Sequence, residues 1–252
     1  MTPGKELAGK VALVTGGARN IGRAIARSLA AGGAAVMVNA RTSRAQAEET
    51  VALIEQAGGK AAVHIADVTE PRDVSALVEA TLKRFGRLDV LVNNAAVRME
   101  SAFEEIKFDD WRRVVASILD AAFLCSQACV PHLAKAGGGS IVNIGGLTGH
   151  RGAPGRAHVI AAKAGLAGLT KALALDLAPQ RITVNCVVPG TIESQRGLPG
   201  VPERPEHRRT PPPIGRRGEP EEIAAMVRML CGPDARYITG QSIHANGGGF
   251  MP

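Results

Sequence analysis

The sequence predicts an α/β fold, a single domain in which a doubly wound parallel sheet carries helices on both faces. Two observations lead to this fold class. Short apolar runs alternate with amphipathic segments along the whole chain, which is typical of buried parallel strands joined by crossover helices. The 252 residues contain no repeat and no linker, so we expect one domain, residues 1–252, with a full core.

The elements follow one another from residue 10 onward. Seven strands are expected, at residues 10–14, 34–40, 61–65, 88–92, 140–144, 182–188 and 242–244. Six helices are expected, at residues 21–31, 43–57, 71–85, 109–132, 156–178 and 219–230. Residues 194–218 contain six prolines and interrupt the alternation. We expect this segment to be a flexible substrate flap.

The charge distribution argues against nucleic acid as a partner. The formal net charge is +7, but residues 195–217 hold six arginines against two glutamates. Aromatic residues, on which bases stack, make up only 3% of the chain. The flap arginines favour an anionic small molecule instead, although a solvated surface loop explains them almost as well. They are Arg196, Arg204, Arg208 and Arg209.

Neither a membrane nor a metal site is expected. No apolar run approaches the ~20 residues of a membrane-spanning helix, and residues 1–10 have no apolar signal core. We therefore expect a cytoplasmic protein. The four cysteines, at positions 125, 129, 186 and 231, lie in apolar segments without metal-type spacing, which favours buried thiols.

A phosphate-binding turn is predicted where the first strand meets the first helix. Gly16 and Gly17 allow a tight turn, and Gly22 allows the helix to lie close to the sheet. Unpaired amides at a helix start attract phosphate. An ordinary strand–helix connection is the alternative. If a dinucleotide binds here, the contacting residues are expected to be Gly16, Arg19, Asn20, Ile21 and Gly22.

Two further strand ends belong to the same edge of the predicted sheet. Asp67 and Val68 follow the third strand, where an adenine would lie. Asn93 and Ala95 follow the fourth strand and offer an amide and a small side chain beside a nucleotide. Turn formation alone also explains Asp and Asn at such positions.

Together these motifs resemble the short-chain dehydrogenase/reductase family over essentially the whole chain. The matching residues are Thr15, Gly16, Gly22, Asp67, Asn93, Asn94, Ala95, Lys163, Pro189, Gly190, Thr191, Ile192, Gly240, Gly247 and Gly248. The resemblance implies a Rossmann-type fold, NAD or NADP as cofactor, and cofactor contacts at Pro189, Gly190, Ile192 and Ser194. Asn20 replaces a usual glycine, but asparagine tolerates left-handed backbone and should keep cofactor binding intact.

The resemblance also predicts which cofactor binds. The acidic position of NAD-binding members, which accepts from the ribose 2′-hydroxyl, matches Ala40 in this sequence. Arg41 and Arg19 can instead pair with a 2′-phosphate. NADP(H) is therefore favoured over NAD(H).

The catalytic positions depart from the family pattern. That pattern is Tyr-x-x-x-Lys on a helix, with a serine thirteen residues before the tyrosine and an asparagine on the preceding long helix. This sequence keeps Lys163 but has Val159, Gly146 and Ile118 at the other three positions. None of these three side chains can transfer a proton. We therefore do not expect the family's usual carbonyl–alcohol chemistry at a normal rate.

Three hypotheses for function remain open. In the first, the substrate is an imine or an activated double bond that needs no protein acid. In the second, His150 or Thr148 replaces the tyrosine as proton donor. In the third, the chain is a cofactor-binding subunit or sensor that catalyses no reaction. His150 is the better replacement because its ordinary pKa suits proton transfer near neutrality. The resemblance implies that Lys163 binds the nicotinamide ribose, and on that basis it would not replace the missing phenol.

A homotetramer is the expected assembly. The helices expected at residues 109–132 and 156–178 are apolar on more than one face, and a helix that is apolar beyond its core stripe needs a further partner. The resemblance implies that these two helices form a four-helix contact across a two-fold axis.

Overall fold

The computed structural model describes residues 4–193 and 212–252. Most of the expected flap, including Ser194 and the arginines at positions 196, 204, 208 and 209, therefore lies outside the described residues. Every element below belongs to the described part of the chain.

Seven parallel strands form one sheet in the order β3-β2-β1-β4-β5-β6-β7. Their bounds are β1 Val11–Val14, β2 Ala35–Ala40, β3 Lys60–Ile65, β4 Val90–Asn93, β5 Gly139–Ile144, β6 Ile182–Pro189 and β7 Ser242–Ala245. The strand order reverses between β1 and β4, and a crevice opens there at the carboxyl ends of the strands. The predicted Rossmann-type doubly wound sheet is confirmed.

Helices cover both faces of the sheet. They are α1 Asn20–Ala31, α2 Arg44–Gln56, α3 Pro71–Phe85, α4 Phe108–Val115, α5 Ala121–Lys135, α6 Thr148–Arg151, α7 Ala157–Leu177 and α8 Pro220–Cys231. Buried side chains of α1, α2 and α8 form one core with the sheet. Those of α3, α5 and α7 form the core on the opposite face. The crevice therefore lies between two well-packed layers.

The helix expected at residues 109–132 is interrupted. A π-helical turn, Ala116–Asp120, separates α4 from α5. Inside it, the Ser117 hydroxyl donates to the carbonyl of Val114 and accepts from the amide of Val97, both at 2.9 Å. A side chain that bonds into the helical ladder bends or breaks it. The short helix α6 was also not predicted.

Two helical stretches are long and apolar enough to cross a membrane by length and composition, Phe108–Lys135 and Ala157–Gln180. This differs from the expectation that no segment of that kind exists. Core helices of soluble proteins meet the same criterion, and both stretches pack one side against the sheet or its helices. Their most apolar windows are only 44% and 39% buried. They are weak grounds for a membrane span, but they leave apolar surface on their outer sides.

Candidate active site

Thr15 and Asn94 hold the glycine turn between β1 and α1. The Thr15 hydroxyl accepts from the amides of Asn94 at 3.0 Å and Ala95 at 3.1 Å. Asn94 Nδ2 donates to the carbonyls of Thr15 and Gly16, each at 3.0 Å. The sequence predicted that Asn94 belongs to a stretch lying beside the nucleotide, but not that its side chain holds the turn. The turn is thus fastened to the neighbouring strand by side chains.

The turn leaves no room for side chains at two of its glycines. Gly16 has a φ of +62°, a backbone conformation that is strained for residues other than glycine. A Cβ at Gly22 would overlap the carbonyl oxygen of Gly16 and lie 2.6 Å from Asn94 Nδ2. Asn20 has a φ of +49°, as expected for an asparagine in place of a glycine. This close, preformed cradle fits the pyrophosphate of a dinucleotide.

Two of the expected cofactor residues, Arg41 and Asp67, pair where the sequence predicts an adenine. Arg41 Nη1 lies 3.8 Å from Asp67 Oδ2, and half of the Arg41 side chain is exposed. Asp67 Oδ1 accepts from the amide and the hydroxyl of Thr69 at 3.0 and 2.8 Å. Val68 is buried. Asp67 is therefore fixed, while Arg41 and the exposed Arg19 can turn toward an added phosphate.

Asn93 faces the helix layer rather than the crevice. Its Nδ2 donates to Asn143 Oδ1 at 2.9 Å and to the Ser126 hydroxyl at 3.2 Å. Asn143 Nδ2 in turn donates to the Thr170 hydroxyl at 2.9 Å. Within the described residues, Asn93 Oδ1 is buried without a hydrogen-bond partner. The network supports the carboxyl ends of β4 and β5 from behind.

The end of β6 closes the site on the other side. The amide of Gly190 donates to the carbonyl of Ala245 at 3.0 Å, and Ile192 pairs with Gly218 in an isolated parallel bridge. This bridge joins the chain before residue 194 to the chain after residue 211. Arg216 donates two hydrogen bonds to the Glu222 carboxylate on α8, at 2.7 and 2.8 Å.

Lys163 lies buried on α7 beneath the crevice. Its Nζ donates to the carbonyl of Ile144 at the end of β5. Burial lowers the pKa of Lys163 to about 7, and the charge of Arg98 acts in the same direction, whereas the Cys186 thiol opposes it. The pKa of Lys163 therefore lies close to neutral pH.

Apolar side chains occupy two of the positions where the family has polar catalytic residues. Val159 and Ile118 are both buried in one small apolar cluster. Its members are Val114, Ile118, Ala122, Val159, Ala162 and Leu166, with Val97 and Met99 among the side chains packed against it. At Gly146, a Cβ would meet only Lys163 Cγ, at 3.8 Å. The glycine therefore leaves space beside the lysine stem.

His150 and Thr148 lie on α6, and the His150 ring turns toward the end of the chain. Its centroid lies 4.6 Å from that of His244 on β7 and 6.1 Å from that of Phe250. Burial and the charge of Lys171 lower the pKa of His150. Lys163 Nζ bonds to β5, but α6 also packs against the same lysine, because a Cβ at Gly149, next to His150, would lie only 2.9 Å from Lys163 Cβ.

Thr148 is half-buried. All four cysteines are free and buried. Among residues 4–193 and 212–252, no group of three or more His, Cys, Asp or Glu side chains is placed to hold a metal ion.

Comparison with known proteins identifies the family. A family model described as enoyl-(acyl carrier protein) reductase matches residues 16–249. The 3-oxoacyl-[acyl-carrier-protein] reductase of Synechocystis sp. is 40% identical over 251 residues, covering 97% of this chain and 98% of the relative. The enzyme FabG of Staphylococcus aureus, named likewise, is 40% identical over 242 residues and covers 96% and 98%.

Solved structures agree with this assignment. A dehydrogenase/reductase from Sinorhizobium meliloti has a TM-score of 0.92 at 38% identity, covering 98% of both chains. A short-chain dehydrogenase from Burkholderia cenocepacia in complex with NADP has a TM-score of 0.90 at 36% identity, covering 97% of this chain and 99% of that one. The chain therefore belongs to the short-chain dehydrogenase/reductase family of oxidoreductases.

Proposed function

We propose that this chain is an NADP(H)-dependent oxidoreductase with a non-standard active site, which reduces an imine or an activated double bond. One observation carries the proposal. Val159 and Ile118 belong to the same apolar cluster beside the buried Lys163, while the glycine turn keeps its hydrogen bonds. The site can hold a cofactor but lacks the hydroxyls that would serve a ketone.

The cofactor is held, in this proposal, by the residues named from the sequence. They are Gly16, Arg19, Asn20, Ile21, Gly22, Arg41, Asp67, Val68, Asn93, Ala95, Lys163, Pro189, Gly190, Ile192 and Ser194. Asn93 acts through the backbone at the end of β4, because its side chain is bonded to Asn143 and Ser126. Arg41 and Arg19 bind the 2′-phosphate, and the NADP found in the Burkholderia relative supports this preference.

Bound NADPH would supply a hydride, and the protein must supply any hydrogen-bond donors and the proton that the substrate needs. A ketone that accepts hydride develops an alkoxide, for which preorganised hydrogen-bond donors contribute roughly 3 kcal/mol each. Val159 and Gly146 provide no such donor. General acid catalysis is worth about 10²–10⁴ in rate, so ketones should be poor substrates. An iminium already carries positive charge, so hydride addition leaves no anion to stabilise. In a conjugated carbonyl, the negative charge that the hydride brings is shared over an enolate. The enoyl reductase description of the matched family model supports the second class.

Two other functions are outcomes of the same test. A cofactor-binding subunit without chemistry is favoured by the loss of three proton-handling side chains at once. A carbonyl reductase is favoured by the names of the 40% identical relatives, with His150 or Thr148 as donor. The contacts of His150 with His244 and Phe250 count against the second of these.

The test is NADPH oxidation with ketones, conjugated enones and cyclic imines, run beside the double variant Gly146→Ser, Val159→Tyr. We expect the wild type to reduce enones or imines and the double variant to gain ketone reduction. The space at Gly146 admits a serine. Brisk ketone reduction by the wild type would refute the proposal. Silence from the wild type with a gain in the double variant would identify a cofactor-binding subunit.

The assembly proposed is a homotetramer in the cytoplasm, with a small, anionic or neutral molecule as substrate and neither nucleic acid nor membrane as partner. An open groove of about 700 Å³ on the outer side of α5 and α7 supports it. Its lining includes Leu119, Phe123, Leu124 and Leu169, and Phe123 is 46% exposed. Light scattering of wild type and Phe123→Glu tests this. A monomeric wild type at micromolar concentration would refute it.

A further inference from the structure

One buried positive side chain lies at the inner end of the candidate site, and a second acts on it electrostatically. Lys163 is buried on α7, and Arg98 belongs to the loop after β4. The guanidinium of Arg98 is near enough to disfavour the Lys163 ammonium electrostatically. The buried Lys163 ammonium, bonded to the Ile144 carbonyl, is a positive charge at this end of the site, and it repels a cationic substrate and attracts developing negative charge. This favours a conjugated carbonyl over an iminium ion.

Space beside Lys163 is open to a small group. A Cβ at Gly146 would touch only the lysine stem, at 3.8 Å, and position 159 carries valine instead of a phenol. Val159 lies four residues before Lys163 and so on the same side of the helix. Neither position places a polar side chain between the crevice and the ammonium.

The ammonium also has donors to spare. A lysine ammonium carries three N–H groups, and among the described residues Lys163 Nζ donates to one acceptor, the Ile144 carbonyl. A ribose hydroxyl and a substrate oxygen can take the remaining two. A bound ribose would thus leave one N–H of Lys163 for a substrate oxygen. The oxygen of a conjugated carbonyl lies three bonds from the carbon that receives the hydride, whereas a ketone oxygen is bonded to that carbon. A donor placed for the first oxygen therefore does not also serve the second, and Lys163 need not take the place of the phenol.

Two other groups in this region are less suited as proton donors, since burial raises the pKa of the Cys186 thiol and lowers that of His150. Cys186, on β6, interacts with Lys163, but burial raises the pKa of its thiol to about 11. His150 packs against His244 and Phe250. Of the groups that act on Lys163, Arg98 comes from the loop after β4, Cys186 from β6 and the Ile144 carbonyl from β5.

We infer that Lys163 is the catalytic acid of this site and that the substrate is a conjugated carbonyl compound. The Lys163 ammonium protonates the enolate oxygen that forms when hydride adds to this substrate. The inference rests on the proposed NADPH-dependent reduction and narrows its substrate class. As hydride adds to the β-carbon, the C=C π pair moves to the carbonyl and gives an enolate. Lys163 Nζ gives its proton to the enolate oxygen, and the neutral amine regains one from water. The enol then tautomerises, so the substrate gains one hydride and one proton while the nicotinamide is oxidised.

The first test compares two probes in steady-state kinetics. Hydride addition to cyclohex-2-enone gives an enolate, whose protonation an acid can assist, whereas hydride addition to N-methyl-3,4-dihydroisoquinolinium gives a neutral amine directly. We expect Lys163→Met to lose about 10²–10⁴ in kcat/KM for the enone. For the iminium, which needs no acid and which the Lys163 charge repels, the loss should be no larger than the fall in NADPH affinity, which is titrated separately. Lys171→Met, an exposed lysine on the same helix, is the matched control and should change neither.

The second test follows Lys163 without turnover. In protein labelled with ¹³Cε-lysine, one of the eight lysines should titrate near pH 7, and Lys163→Arg should remove that signal. Arg98→Gln takes away an opposing charge, so this titration and the alkaline fall of kcat/KM for the enone should both move to higher pH. Arg98→Lys should restore them.

The outcomes separate the inference from the proposed function. Equal losses on both probes in Lys163→Met would leave the lysine with ribose binding alone and overturn the inference. Wild-type turnover of the iminium but not the enone would also overturn it, while leaving the proposed reductase intact. NADPH binding with turnover of neither probe would overturn both.

Discussion

The two halves of the crevice differ in what their side chains do. On the cofactor side, Thr15 and Asn94 join the glycine turn to β4 through four hydrogen bonds of 3.0–3.1 Å. On the catalytic side, Val159 and Ile118 pack in an apolar cluster. The first set of residues positions backbone against backbone, so the fold itself requires it. The second set is free to change, and with it the chemistry that the fold carries out.

Replacing one glycine by alanine in each half should give the largest difference in stability and in NADPH affinity. At Gly22, alanine puts a Cβ onto the Gly16 carbonyl, and overpacking of this kind costs about 1–3 kcal/mol of unfolding free energy. NADPH affinity should fall at least roughly tenfold, since each 1.4 kcal/mol is a factor of ten. Gly146→Ala meets only Lys163 Cγ at an ordinary contact distance. Urea unfolding and NADPH titration measure both, and equal effects would erase the distinction between the halves.

A second prediction concerns the network behind the crevice. Thr170→Val removes the acceptor of Asn143 Nδ2 and leaves that buried donor unpaired, at a cost of about 1–3 kcal/mol. Thr81→Val is the control, because the Thr81 hydroxyl donates only to the Leu77 carbonyl of its own helix among the described residues. Urea unfolding should separate the two variants. A Thr170→Val protein as stable as Thr81→Val would mean that Asn143 finds another partner.

The smallest expected effect is on cofactor choice. Arg41→Asp should lower NADPH affinity roughly tenfold, because a charge-assisted hydrogen bond contributes about 1.5–3 kcal/mol and this arginine is half exposed. NADH affinity should rise, so that the preference inverts. Arg44→Asp makes the same charge change on α2, where Arg44 pairs with Glu48, and should alter both affinities equally. Tighter NADH binding by the wild type would contradict the preference.

The sequence was enough for the architecture because periodicity and glycine positions are local signals. Most predicted elements lie within a residue or two of the observed bounds, and the left-handed Asn20 was anticipated. The π-helical turn was not predictable, since it depends on the bond between Ser117 and Val97, twenty residues apart. The direction of His150 depends on β7 and the C-terminal Phe250. The inward side chain of Asn93 depends on α5 and α7.

The most direct test of the central claim is the fate of the hydride. Wild-type protein is supplied with NADPH carrying deuterium at the transferable position of C4, with cyclohex-2-enone or cyclohexanone as substrate. We expect cyclohexanone labelled at the former β-carbon from the enone, and cyclohexanone itself to be reduced about 10²–10⁴ more slowly. Rapid formation of cyclohexanol from cyclohexanone, or of an allylic alcohol labelled at the carbinol carbon from the enone, would contradict the account.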